Sequence, residues 1–167
     1  THMENLWKGL DTLQTKTSNP VDLVKEQSTF LREGTREALK LDIAETLRLG
    51  PKTKEVLKKV NIDNQFSYRV SLTSAYLQEY SYNIFTFFYD ITSYPMVVTV
   101  PKEIGTEVTS ILGAVDVIDE TETRMYFKVS DEDAFVSVMA NIFNSENARM
   151  VMTNIKAIVG KCVEDEE

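Results

Sequence analysis

The chain has 167 residues, 43% hydrophobic and 26% charged, enough to bury a core without help from a metal or a disulfide. Its net charge is −8, unevenly placed: residues 1–64 carry eleven Lys/Arg against ten Asp/Glu, residues 65–167 seven against sixteen. Acidity of this kind repels phosphate backbones and disfavours nucleic acid as a partner, while leaving a basic protein surface as a possible one.

Thr1–Met3 reads as an expression-tag remnant, with Met3 the natural start, and that assigns the single histidine, His2, to the tag. Without an imidazole there is no Ser-His or Cys-His nucleophile and no histidine-containing zinc site. The lone Cys162 cannot form an internal disulfide, and its acidic neighbours raise a thiol's pKa, so it reads as inert. No apolar run approaches a membrane span and no basic-then-apolar leader is present, so a cytoplasmic setting is expected.

Leu6, Leu10 and Leu13 recur at helical spacing over Glu4–Thr15. Asn19 is placed as an N-cap with Pro20 at the first helical position. Val21 to Leu49 then reads as one long helix or two, with Gly34 the weak point. Gly50 stops it and Pro51 restarts a short helix whose wet face is basic (Lys52, Lys54, Lys58 and Lys59). "GPKT" at 50–53 lacks the glycine spacing of a phosphate loop, and there is no dinucleotide fingerprint, so no cofactor is expected.

At Asn64 the period changes from 3.6 to 2. Phe66, Tyr68, Val70 and Leu72 form one face of a strand, Ser67, Arg69, Ser71 and Thr73 the other. Residues 80–94 then hold seven of the sixteen aromatics and predict two further strands, about Tyr80–Ile91 and Tyr94–Val100. A two-residue turn at Gln78–Glu79 would pair Leu72 with Phe85, Val70 with Phe87 and Tyr68 with Tyr89. That puts Phe85, Phe87 and Tyr89 in the core and Tyr82, Ile84 and Phe88 on the opposite face. Those three are the candidate interface, to be covered by the chain's own helices or by a partner.

Pro101 opens a helix ending at Gly113, and two strands flank the acidic turn at 120–122, with Met125, Phe127 and Val129 inward and Arg124, Tyr126 and Lys128 outward. A capping box from Ser130 to Asp133 and a second cap at Ser145 start two last helices, the final one running to Gly160. Asp116, Asp119, Glu120 and Glu122 are the densest acidic group. They read as a solvated turn or a surface for a basic partner rather than a catalytic pair or a calcium loop, which would need convergence or a mid-loop glycine.

The reading is therefore an α+β fold: N-terminal helices, a mainly antiparallel five-stranded sheet in the order βββαββ, and C-terminal helices. One globular domain spans 4–163, helical over 4–62 and α+β over 64–163, with an acidic tail at 164–167. The element order βββαββα resembles the small type III secretion chaperone-like fold over residues 35–143, as a pattern of elements without a signature motif. That resemblance implies acidic, mostly dimeric proteins that bind other proteins. The expected function is a non-enzymatic protein-binding module (chaperone, adaptor or immunity/inhibitor type) taking another protein or a second copy of itself. The alternatives are a small carboxylate-based enzyme and a nucleic-acid-associated regulator using the lysine helix.

Overall fold

The computed structural model describes residues 3–8, 19–46, 48–63, 66–112 and 116–165. Its elements are α1 (Pro20–Gly34), β1 (Lys40–Glu45), α2 (Pro51–Lys59), β2 (Phe66–Ser74), β3 (Leu77–Tyr89), β4 (Met96–Pro101), α3 (Lys102–Leu112), β5 (Asp116–Glu120), β6 (Arg124–Val129), α4 (Glu132–Phe143) and α5 (Glu146–Asp165). The fold is α+β with one fully antiparallel sheet, ordered β1-β2-β3-β4-β6-β5. Six strands are present where five are expected.

The extra strand is β1, which takes the place of the helix expected through Leu49. Leu39, Leu41 and Ile43 satisfy a strand's period of 2 while Leu39, Ile43 and Leu47 satisfy a helix's, and local chain geometry decides between them. After Gly34 the chain turns through Arg36 (φ 52°) and Glu37 (φ 68°), left-handed conformations that cannot continue a helix. Arg32 pairs with Glu37 at 2.9 Å across that turn, and the Thr35 hydroxyl accepts the Leu39 N–H. β1 then pairs along β2, Leu41 opposite Leu72. Its outer edge is closed by α1: the Ser28 hydroxyl donates to the Leu41 carbonyl at 3.1 Å and accepts the Leu41 N–H at 3.2 Å. An edge strand is thus denied a backbone partner at its centre.

Other boundaries also differ. Residues 3–8 are irregular rather than helical, and residues 9–15 of that expected helix, like Thr1 and His2, lie outside the described residues. α4 is capped by Asp131, whose carboxylate accepts the Ala134 N–H, not by Ser130. Ser145 caps α5 as expected, accepting from Ala148, but α5 passes Gly160 and takes in the start of the acidic tail. Cys162 lies on α5 with its side chain outside the described set, as do residues 166–167.

α1, α3, α4 and α5 cover the first face of the sheet. Val24, Ile104, Val108, Phe135, Ile142 and Ile155 pack there on Val70, Leu72, Phe85, Phe87, Val98 and Phe127, all buried. The Phe66–Tyr89 and Tyr68–Phe87 rings stack across β2 and β3 at 5.1 and 5.5 Å, and such pairs add about 1 kcal/mol beyond burial. Among the described residues the second face carries only α2, whose Val56 and Leu57, with Ile62, bury Phe88, Val97 and Tyr126. Among the described residues no helix is long and apolar enough to cross a membrane.

Candidate functional site

The β2–β3 hairpin decides which side chains reach the second face. Its turn is Ala75–Tyr76, not Gln78–Glu79, and the register is Phe66↔Tyr89, Tyr68↔Phe87 and Val70↔Phe85. This is two residues from the expected pairing, a shift that conserves parity, so Phe85, Phe87 and Tyr89 are core as expected. Between Val70 and Ser71 the register slips, and Ile84 is the extra residue of a bulge. The Asn83 amide nitrogen donates to the Val70 carbonyl at 3.1 Å and to the Phe85 carbonyl at 3.2 Å, tying the two strands together at the bulge.

The bulge reverses the alternation beyond it. Tyr82 sits opposite Leu72 and packs half-buried against the first-face core, and Ile84 is wholly buried in that core. Only Phe88 of the three lies on the second face, 2% exposed beneath α2. The chain's own elements therefore cover Ile84 and Phe88 and leave neither open to a partner. Tyr126, expected outward, is likewise buried under α2, its hydroxyl 3.2 Å from that of Thr53.

The acidic group is dispersed. Asp119 Oδ2 lies 2.8 Å from both Lys52 Nζ and Lys59 Nζ on α2, while its Oδ1 accepts the Glu120 N–H. The two ammonium groups hold the Asp119 carboxyl well below the usual carboxylate range, and Asp119 in turn raises both lysines. Glu120 pairs with Lys102 at 3.3 Å, whereas Asp116 and Glu122 are exposed on β5 and the following turn. A bulge between Val117 and Asp119 lets Ile118 pack on the α2 cluster. Two of the helix's lysines are thus spent on fixing α2 to the sheet edge, and Lys54 and Lys58 stay exposed. Among the described residues no three His, Cys, Asp or Glu side chains stand where a metal would bind them together.

What the sheet does assemble on its second face is a lateral row through all six strands: Ala44, Arg69, Thr86, Thr99, Tyr126 and Asp119, each opposite the next. α2 covers the Tyr126–Asp119 end. The remainder lines an open groove of about 210 Å³, with Arg69 along one side and Arg124 along the other. Thr86 and Thr99 make its floor, and Thr46, Arg48 and Gly50 its rim beside the start of α2. Three of the chain's six arginines meet here, from the β1–α2 connection, β2 and β6. Among the described residues no Asp or Glu lines the groove, and none of the three arginines has an acidic partner within 4 Å. Arg124 is fixed by donating from Nε to Thr99 Oγ1 at 3.1 Å and from Nη2 to the Thr99 carbonyl at 3.0 Å. Burial, helped by the like charge of Arg69, lowers its pKa from the ordinary value. A second hollow of about 340 Å³ lies between α1 and the α4–α5 pair; Phe30, Leu31, Phe143 and Met152 make it mainly apolar, with Gln27, Asn144 and Arg149 also on its wall.

No sequence motif marks the arginine groove as a site. Its local signal is the outward parity of Arg69 and Arg124, which says nothing of where their strands lie in the sheet. No family model, curated protein or solved structure matches the chain.

Proposed function

We propose that this chain is a non-enzymatic protein-binding module, of chaperone, adaptor or inhibitor type, whose recognition surface is the uncovered half of the sheet's second face. The observation that carries the reading is the asymmetry of cover: four helices bury the first face, while the second keeps Arg69, Asn83, Thr86, Thr99 and Arg124 around an open groove beside α2. Hydroxyl, amide and guanidinium groups on a rigid sheet can bond a partner's side chains and backbone without rearranging. The βββαββα order from β2 onward, shared with the chaperone-like fold, supports the same class by topology alone.

The geometry shifts the expected polarity of the partner. Asp119 and Glu120 already hold lysines of their own chain, whereas among the described residues the groove arginines have no acidic partner within 4 Å, so the partner segment in this reading is acidic rather than basic. The carboxylate-enzyme alternative needs two converging acids; Asp119 is instead clamped by lysines, and the other three do not share a cleft with it.

Site-directed photo-crosslinking tests the proposal. A crosslinking side chain at Thr86 should trap one discrete protein species in the native host. The same group at Lys156, exposed on α5, should not. Equal capture from both positions, or none from Thr86, would refute the assignment of the face.

A further inference from the structure

We infer that the Arg48–Arg69–Arg124 groove is a binding site for a phosphate group. Three cationic side chains from three elements border one hollow of about 210 Å³ that no carboxylate lines, in a chain whose net charge is −8. Mutual repulsion of guanidiniums is unfavourable unless an anion offsets it; among the described residues none of the three has an ion pair within 4 Å, and Glu103 acts on Arg124 only at longer range. The arginine of best-defined orientation, Arg124, spends two donors on Thr99, and its other guanidinium donors have no hydrogen-bond partner among the described residues.

The uncharged lining is of the same character. Thr46, Thr53, Thr86 and Thr99 place hydroxyls around the hollow, and Thr46 Oγ1 is buried without a hydrogen-bond partner among the described residues. Gly50, at the rim, is the N-cap of the nine-residue α2 and supplies no side-chain cap, so the first amides of that helix are not satisfied by its capping residue. Planar guanidinium forks, hydroxyl donors and an uncapped helix start match the three terminal oxygens and double charge of a phosphate better than the two oxygens and single charge of a carboxylate. The groove is open, so the phosphate can be free or the ester end of a larger molecule. The site does not depend on the protein-binding reading: phosphate can bind here whether or not a partner occupies the rest of the face.

The test is a titration of the full chain with inorganic phosphate, followed by backbone amide NMR at constant ionic strength, alongside phosphoserine and acetate. Saturable shifts confined to residues 46–53, 69, 86, 99 and 124 are expected for phosphate. The exposed pair Arg48→Gln and Arg69→Gln, combined, should weaken binding by at least about tenfold while leaving the folded spectrum unchanged. Arg124→Lys, which keeps the charge and loses the fork, should weaken it without abolishing it. Tighter binding of phosphoserine than of phosphate would identify an ester as the natural ligand, and the reverse would identify the free ion; both sustain the site. Dispersed non-saturating shifts, equal affinity for acetate, or phosphate binding unaltered in the double variant would each overturn it. None of these outcomes bears on whether Thr86 crosslinks a protein, so the two proposals fail separately.

Discussion

The Asn83 carboxamide donates to the Val70 carbonyl at 3.1 Å, bridging the bulge that separates the two halves of the β2–β3 hairpin. The same nitrogen reaches the Phe85 carbonyl, so one side chain serves both lips of the interruption. Replacing it removes two part-buried hydrogen bonds at once. Asn83→Ala should destabilise the fold by about 1–3 kcal/mol in chemical denaturation, and Asn83→Asp should be no better, because a carboxylate has no N–H to donate. An Asn83→Ala protein with unchanged midpoint would show that the bulge is held by core packing of Ile84 alone.

How much of this was legible in the sequence follows from what each feature depends on. The alternation of Phe66, Tyr68, Val70 and Leu72 is a local property and gave the strand and its core face directly. Parity likewise places Phe85, Phe87 and Tyr89, even though the turn falls three residues before Gln78–Glu79. Ile84 defeated the same argument because a single inserted residue reverses parity, and nothing in "SYNIFTF" announces a bulge except the asparagine that stabilises it. β1 was hidden because Leu39, Leu41 and Ile43 fit both periods, and only pairing with β2 and the Ser28 bonds select the strand. The arginine groove lies furthest from local information. It requires β6 to lie beside β4, which brings Arg124 onto Thr99 some 25 residues away in sequence.

Asp119 holds α2 against the sheet, and its response to acid has a definite sign. The Lys52 and Lys59 ammonium groups depress its folded pKa, so its contribution is fully present above the unfolded-state value near about 3.9 and is lost as pH falls through the lower folded value. Thermal melts of the native chain and Asp119→Asn should therefore differ at neutral pH, with the variant lower. The gap should close as pH drops below about 4. Because both lysines are partly exposed, high salt should narrow the gap as well. A gap that is constant from neutral pH to strong acid would mean that the aspartate acts through shape rather than charge.

Gly105 marks the closest approach of α3 to β6. A Cβ placed there would stand 2.6 Å from Met125 Sδ and 3.0 Å from Met125 Cβ and Cγ. Alanine gains about 1 kcal/mol of helix propensity, but overpacking costs about 1–3 kcal/mol, and the Met125 Cβ cannot swing aside as the sulfur can. Gly105→Ala should be net destabilising, and its cost should shrink in a Met125→Ala background that removes the sulfur and Cγ. A double-mutant cycle measures that coupling. Additive effects would show that the helix slides on the sheet to relieve the contact.

Tyr89, at the end of the aromatic strand, donates from its hydroxyl to Asn19 Oδ1 at 2.8 Å, the same oxygen that caps α1 by accepting the Val21 N–H. Burial, with the nearby Tyr68 and Asp22, pushes the phenol up to about 12. The folded state thus favours the neutral phenol. Its contribution is complete below the unfolded value near about 10 and is lost as pH rises from there through about 12. Tyr89→Phe should be less stable than the native chain by about 1 kcal/mol at neutral pH, the worth of one hydrogen bond. Because phenylalanine has no proton to lose, that deficit should fall steadily in denaturation series carried above pH 10. Asn19→Ala loses both bonds to that oxygen and should cost about 2 kcal/mol at neutral pH, of which the share due to the cap should persist into alkali. Parallel alkaline profiles for the native chain and Tyr89→Phe would place the destabilising ionisation on another group.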